Sequence, residues 1–67
     1  MENLQPHQQR ILNEKAELDE KLDKLSQFIE GSPVYATLST DERILLKKQE
    51  YYMSEYSEIL GRRISNF

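Results

Sequence analysis

Basic and tyrosine side chains are the residues of this sequence that point most directly to chemistry. Lys47 is followed by Lys48, Arg62 is followed by Arg63, Arg10 lies near the start of the chain, and tyrosine occurs four times. Lysine and arginine bind phosphate groups, and aromatic rings stack on nucleotide bases. These residues suit nucleotide recognition; a solvated surface and a packed helical seam are the alternative interpretation of the same residues.

Residues for covalent or acid–base catalysis are scarce. The 67 residues include no Cys and a single His, His7. A serine nucleophile needs a neighbouring base, and a Cys-based zinc site needs thiolates. Acidic residues such as Glu17 and Glu20 fall among many other charges, which is typical of a solvated helix face. We therefore predict no enzyme, no catalytic residue, no metal site and no cofactor.

The balance of charge excludes further classes of partner. Nine Lys and Arg residues against twelve Asp and Glu residues give a net charge of −3. Proteins that bind duplex nucleic acid usually carry a basic excess. No apolar run approaches the roughly 20 residues of a membrane span, and the beginning of the chain lacks the pattern of a signal peptide. We expect neither duplex nucleic acid nor a membrane as a partner, and a cytoplasmic location.

Two helical segments joined by a short packed turn are predicted to position these side chains. Pro6 suits the first turn of a helix, and no Gly or Pro follows until Gly31 and Pro33, which are expected to stop that helix. Ser39 and Glu42 match an N-cap and its capping-box partner. The predicted organisation is one domain over residues 1–67, with helices at about 6–29 and 40–66 and a loop at 30–39.

The apolar residues predict an all-α, antiparallel two-helix hairpin that assembles into a homo-oligomeric helical bundle. In the first segment they recur in heptad-like steps from Leu4 onwards. One partner helix cannot cover the broader stripe of the second segment, and a chain this short buries little surface alone. Gly61 is expected to allow a close approach within that stripe. The second segment carries two adjacent heptad series, Leu46–Met53–Leu60–Phe67 and Leu45–Tyr52–Ile59.

An antiparallel hairpin also brings the free ends of the two segments together. Arg62 and Arg63 would then lie near His7 and Arg10. After assembly of several subunits, this end of the hairpin is predicted to form a basic rim.

The order of residues along the whole chain resembles a known family. The first half matches at His7-Gln8-Gln9-Arg10-Ile11, Glu14, Glu17-Leu18, Lys21-Leu22, Lys24-Leu25-Ser26 and Phe28-Ile29. The second half matches at Leu38, Glu42, Leu45-Leu46, Gln49, Met53, Tyr56, Ile59-Leu60, Arg63-Ile64 and Phe67. The chain thus resembles the bacteriophage anti-CBASS sponges, small helical hairpins that share their fold with some anti-Thoeris sponges.

The resemblance implies a homo-oligomer, commonly a hexamer, that binds cyclic di- and trinucleotide second messengers without cleaving them. Such a protein blocks CBASS signalling in the cytoplasm of the infected bacterial host. In the family, a lysine and a hydroxyl residue near the end of the first helix contact the ligand, as does an arginine late in the second helix. The residues that match or accompany these positions form the predicted ligand site: Lys24, Ser26, Arg62, Arg63, His7, Gln9 and Arg10.

Two other classes of function use the same apolar seams. A structural or adaptor hairpin would bind a protein partner and no nucleotide. An inhibitor of a host factor would bind its target through the acidic face. Stabilisation by a nucleotide distinguishes the sponge from both, because a ligand that binds only the folded state raises the melting temperature.

Overall fold

A computed structural model, which describes residues 3–67, shows three helices in chain order. They are α1 (Pro6–Gly31), α2 (Pro33–Thr37) and α3 (Thr40–Ser65). The described residues contain no strand, and α1 packs against α3 as an antiparallel pair in a rod 49 Å long. The predicted all-α class is confirmed. None of the helices in residues 3–67 combines the length and apolar character needed to cross a membrane.

The turn between the long helices differs from the sequence-based prediction at Gly31. This residue is the last of α1 and does not stop it, and no glycine in the described part of the chain has a positive φ. The break falls at Ser32, whose backbone is extended at φ −82° and ψ 128°, because Pro33 disfavours a helical conformation in the residue before it. The Ser32 hydroxyl accepts a hydrogen bond from the Val34 N–H at 3.1 Å and caps α2.

The short helix α2 closes the hairpin. The ring of Tyr35 packs edge-on against Phe28, with ring centroids 6.0 Å apart, and ties α2 to the end of α1. The Ser39 hydroxyl accepts from the Glu42 N–H at 3.1 Å, which confirms Ser39 as the N-cap of the second long helix. The segment predicted as a packed turn therefore contains a helix of its own.

The interface between α1 and α3 buries few side chains completely. Within residues 3–67, Ile11, Ser57 and Leu60 are buried, and Leu60 is fully enclosed. A Cβ added at Gly61 would lie 3.7 Å from Lys15 Cε, which is ordinary van der Waals contact. The close approach expected at Gly61 is therefore not what requires glycine there.

The two heptad series of α3 face different surroundings. Leu46 and Met53 are half-buried and Leu60 is buried, so this series faces α1. The neighbouring series is exposed to solvent. We call its members and the adjacent tyrosine the apolar stripe: Leu45 (58% exposed), Tyr52 (65%), Tyr56 (42%) and Ile59 (55%).

Candidate functional site

The structure places Lys24 and Ser26, near the turn, on different faces of α1. Lys24 Nζ lies 3.5 Å from Glu20 Oε2 on the solvent face. Ser26 points towards α3, and its hydroxyl donates to Glu50 Oε2 at 2.6 Å. Residues two positions apart in a helix differ by about 200° of rotation. One ligand on this hairpin therefore does not meet Lys24 and Ser26 from the same direction.

The other predicted residues are exposed at the free ends. Arg62 Nη2 lies 3.2 Å from Glu58 Oε2 on its own helix, and Arg63 is exposed one turn beyond Ile59. His7 and Arg10 are exposed on α1, and the Gln9 amide donates to Asn13 Oδ1 at 3.1 Å. The role of these side chains in ligand binding stays a prediction.

A groove with ligand-binding chemistry lies between the two helices at the level of Ser26. It encloses about 320 Å³ and is open along one side. Apolar Leu22 forms part of its lining, the Ser26–Glu50 hydrogen bond spans the two helices there, and the ring of Tyr51 lies at its edge. We call it the Glu50 groove, and its lining residues are Leu22, Ser26, Lys47, Glu50, Tyr51 and Ser54.

A second groove continues the first towards the beginning of α3. It encloses about 260 Å³ and shares Lys47 with the Glu50 groove. Arg43 is half-buried there; its Nη2 donates to Thr40 Oγ1 at 3.4 Å, and its backbone carbonyl accepts from the Tyr35 hydroxyl at 3.4 Å. We call it the Arg43 groove, lined by Tyr35, Thr40, Arg43, Ile44 and Lys47.

Arg43, Lys47 and Glu50 are not among the site residues predicted from the sequence. Their signal is the spacing of i, i+4 and i+7, which places all three on one flank of α3. That spacing becomes informative only when the position of α1 is known, because the flank next to Ser26 forms a groove. Since an α-helix turns about 100° per residue, this flank lies roughly opposite the apolar stripe.

A partly buried polar cluster links α1 to α3 in the half of the hairpin that contains the free ends. Lys15 Nζ donates to Ser57 Oγ at 2.7 Å and to Asp19 Oδ2 at 3.0 Å. The Ser57 hydroxyl in turn donates to the second carboxylate oxygen of Asp19. A catalytic Ser–Lys pair needs a neutral amine that accepts the serine proton and a nucleophile that a substrate reaches. Here Lys15 donates and Ser57 is buried, so the cluster joins α1 to α3.

Hydrogen bonding within this cluster affects the ionisation of Asp19. The hydroxyl of Ser57, followed by the ammonium group of Lys15, lowers the pKa of Asp19 below its ordinary value of 3.8. Partial burial acts in the opposite direction and is outweighed. Asp19 is therefore ionised at neutral pH and completes the charge balance of the cluster. Elsewhere in residues 3–67, no three His, Cys, Asp or Glu residues are placed to hold a metal ion.

The hairpin, its two open grooves and its exposed apolar stripe define a small all-helical protein with surfaces suited to binding. The model of one protein family, Sequestin, matches residues 5–66, and the chain belongs to this family. The family name denotes sequestration, which is the binding of a ligand and not its turnover. Neither the comparison with curated proteins nor the comparison with solved structures gave a match.

Proposed function

We propose that this protein sequesters cyclic di- or trinucleotide second messengers without cleaving them. The observation that carries the proposal is the match to the Sequestin family over residues 5–66. The resemblance to anti-CBASS sponges supplies the ligand class and the setting, which is the cytoplasm of an infected bacterial host. Removal of the free messenger would block CBASS signalling there.

The chemistry of the grooves supports this ligand class. Cyclic oligonucleotides carry one negative charge per phosphate, hydroxyl groups on each ribose and a flat base that stacks on aromatic rings. The two grooves of α3 present Lys47 and Arg43 as cations, Ser26 and Ser54 as hydroxyl groups, and the ring of Tyr51. The positive charge of Arg43 and Lys47 is a local feature, because the chain as a whole carries a net charge of −3.

Self-assembly is the second part of the proposal. The apolar stripe leaves four large side chains of one helix between 42% and 65% exposed, and a second hairpin laid along the stripe would remove them from water. Arg63 follows Ile59 by one helical turn, so it lies where a neighbouring hairpin would meet it. We propose a homo-oligomer, a hexamer by the resemblance, in which the basic residues at the free ends of several hairpins come together.

The same stripe also favours the alternative function. A structural or adaptor hairpin would place Leu45, Tyr52, Tyr56 and Ile59 against a different protein and would bind no nucleotide. The two functions therefore differ in one measurable property, the response of the protein to nucleotides.

Thermal unfolding with and without nucleotides tests the proposal. We expect cyclic di-AMP, cyclic GMP–AMP or cyclic tri-AMP to stabilise the folded protein by about 4 kcal/mol at a thousandfold excess over Kd. The linear dinucleotide pApA is the control for the cyclic backbone. The nucleotide recovered after denaturation should be intact by chromatography. Absence of stabilisation by all three cyclic nucleotides, or recovery of a linear product, would contradict sequestration.

A further inference from the structure

We propose that Arg43 and Lys47 form the phosphate subsite of this protein, and that Tyr51 holds the base of the same nucleotide. The inference rests on the proposed function for the cyclic form of the ligand and goes beyond it in assigning the residues. It places the nucleotide along α3, across the two grooves that share Lys47.

Neither Arg43 nor Lys47 has a carboxylate partner among the described residues. The ion pairs formed within residues 3–67 are those of Lys15, Lys24 and Arg62, each with an acidic residue of its own helix. Arg43 and Lys47 have no such pair, a property that they share with Arg10, Lys21, Lys48 and Arg63. Arg43 and Lys47 differ from those four because both line the Arg43 groove. Two unneutralised cations one helical turn apart, both facing the same groove, are suited to one phosphate group.

The guanidinium group of Arg43 is incompletely hydrogen-bonded. Its Nε is buried and has no hydrogen-bond partner in the described part of the chain. The Nη2 contact with Thr40 is long at 3.4 Å, and Thr40 is a neutral acceptor. A cation that is partly removed from water without a counter-charge is under-solvated. A phosphate bound in the Arg43 groove would supply that missing counter-charge.

An aromatic ring and a carboxylate lie next to Lys47 in the lining of the Glu50 groove. Tyr51 follows Lys47 by one helical turn and is 58% exposed. Tyr52 and Tyr51 form an edge-to-face pair, with ring centroids 5.1 Å apart at 78°, and such a contact leaves at least one face of the Tyr51 ring for stacking. Between base and phosphate, the Glu50 carboxylate accepts from Ser26 through Oε2. Within residues 3–67 its other oxygen has no hydrogen bond and can accept from a ribose hydroxyl or a base N–H.

This arrangement gives the nucleotide a direction. The negative Glu50 repels phosphate from the end of the groove near Ser26, whereas Lys47 and Arg43 attract it towards the beginning of α3. The base therefore lies at Tyr51 and the phosphate about one to two helical turns away, which is roughly 6–12 Å along the helix axis. Arg43 and Lys47 lie on the flank of α3 roughly opposite the apolar stripe, so assembly through the stripe leaves the phosphate end of the subsite open. The base end borders the stripe, because Tyr51 contacts Tyr52.

Substitution of neighbouring lysines tests the assignment. Lys47→Gln removes the shared cation, and Lys48→Gln is the matched control because Lys48 is an exposed lysine in the next position that lines neither groove. In isothermal titration with cyclic di-AMP and cyclic tri-AMP, we expect Lys47→Gln to weaken binding by about ten- to a hundredfold. Lys48→Gln should stay within about twofold of the original protein. Arg43→Lys, which keeps the charge and loses the guanidinium geometry, should give a smaller loss than Lys47→Gln.

A second probe separates this inference from the proposed function. In NMR spectra of the ¹⁵N-labelled protein, 5′-AMP should shift the Nε–H resonance of Arg43, and Lys47→Gln should abolish the shift. If cyclic nucleotides bind the original protein and Lys47→Gln with equal affinity, the subsite is wrong and sequestration stands. If no cyclic nucleotide binds but 5′-AMP still gives the Lys47-dependent shift, the subsite stands and the proposed function is wrong. A protein that responds to none of these probes overturns both.

Discussion

Two apolar heptad series run side by side along α3, offset by a single residue, and they have opposite environments. Leu60 is 0% exposed, whereas its neighbour Ile59 is 55% exposed. Both series have the same spacing and similar composition. They differ only by the rotation of about 100° between consecutive helical residues, which turns one series towards α1 and the other away from it. Folding of the hairpin and its proposed assembly therefore depend on separate stripes of the same helix.

The largest effect is expected from the buried series. Leu60→Ala removes a fully enclosed side chain, and such substitutions lower the free energy of unfolding by about 2–5 kcal/mol. Among residues 3–67, Ile11 and Ser57 are the other buried residues, and neither is fully enclosed, so the loss is a large part of the stability of a small domain. Urea unfolding monitored by circular dichroism measures it, with Ile59→Ala as the control. Equal losses for the two variants would contradict the separation of the stripes.

A smaller effect on folding, but a clear effect on assembly, is expected from the exposed series. Ile59→Asp places a charge in the apolar stripe, where a neighbouring hairpin would have to bury it at a cost of several kcal/mol. Sedimentation at micromolar concentration should show several subunits for the original protein and a smaller species for the variant. Ala16→Asp, which adds the same charge on the exposed outer face of α1, should leave assembly unchanged. An original protein that sediments as an 8.0 kDa monomer would refute assembly through the stripe.

The smallest effect concerns the pH dependence of the Lys15–Asp19–Ser57 cluster. Because the pKa of Asp19 is lower in the folded state than its ordinary value of 3.8, its stabilising contribution is complete at neutral pH. That contribution declines as the pH approaches 3.8 and is lost as the pH falls through the lower, folded-state value.

Urea unfolding between pH 7 and pH 3 checks this sign. Ser57→Ala removes the largest cause of the lowered pKa and should cost about 1 kcal/mol at pH 7. Its stability should then fall less on acidification than that of the original protein. An equal or greater fall in Ser57→Ala would show that Asp19 does not couple to folding through Ser57.

Much of the fold could be predicted from the sequence because its signals are local. Pro6 and Ser39 mark the beginnings of the two long helices, and the heptad steps indicate which residues face a partner helix. The error at Gly31 has an equally local cause, since Pro33 acts on Ser32 and moves the break one residue later. The short helix α2 has local start signals of the same kind, Ser32 as N-cap and Pro33 in its first turn, and the packing of Tyr35 on Phe28 adds a contact between helices that no local signal indicates.

The candidate site was less predictable because it depends on pairs of distant residues. Ser26 was selected by resemblance, but its partner Glu50 lies 24 residues away and belongs to the other helix. Lys24, selected with it, lies beside Glu20 on the solvent face. No pattern within either helix distinguishes Lys47 from Lys48, although only one of them lines a groove.

From the amino-acid sequence alone it follows that this chain is helical, that its two long helices carry apolar seams, and that the second helix has more apolar surface than one partner can cover. These properties follow from composition and periodicity, which act over one or two turns. Only the tertiary structure decided which seam is buried and which flank of α3 becomes a groove. The same packing brings Ser57 onto the Lys15–Asp19 pair of α1, and it leaves Arg43 without a carboxylate partner among the described residues. The physical reason is that charge balance and solvent exposure depend on the rotation of α1 against α3, which no local pattern encodes.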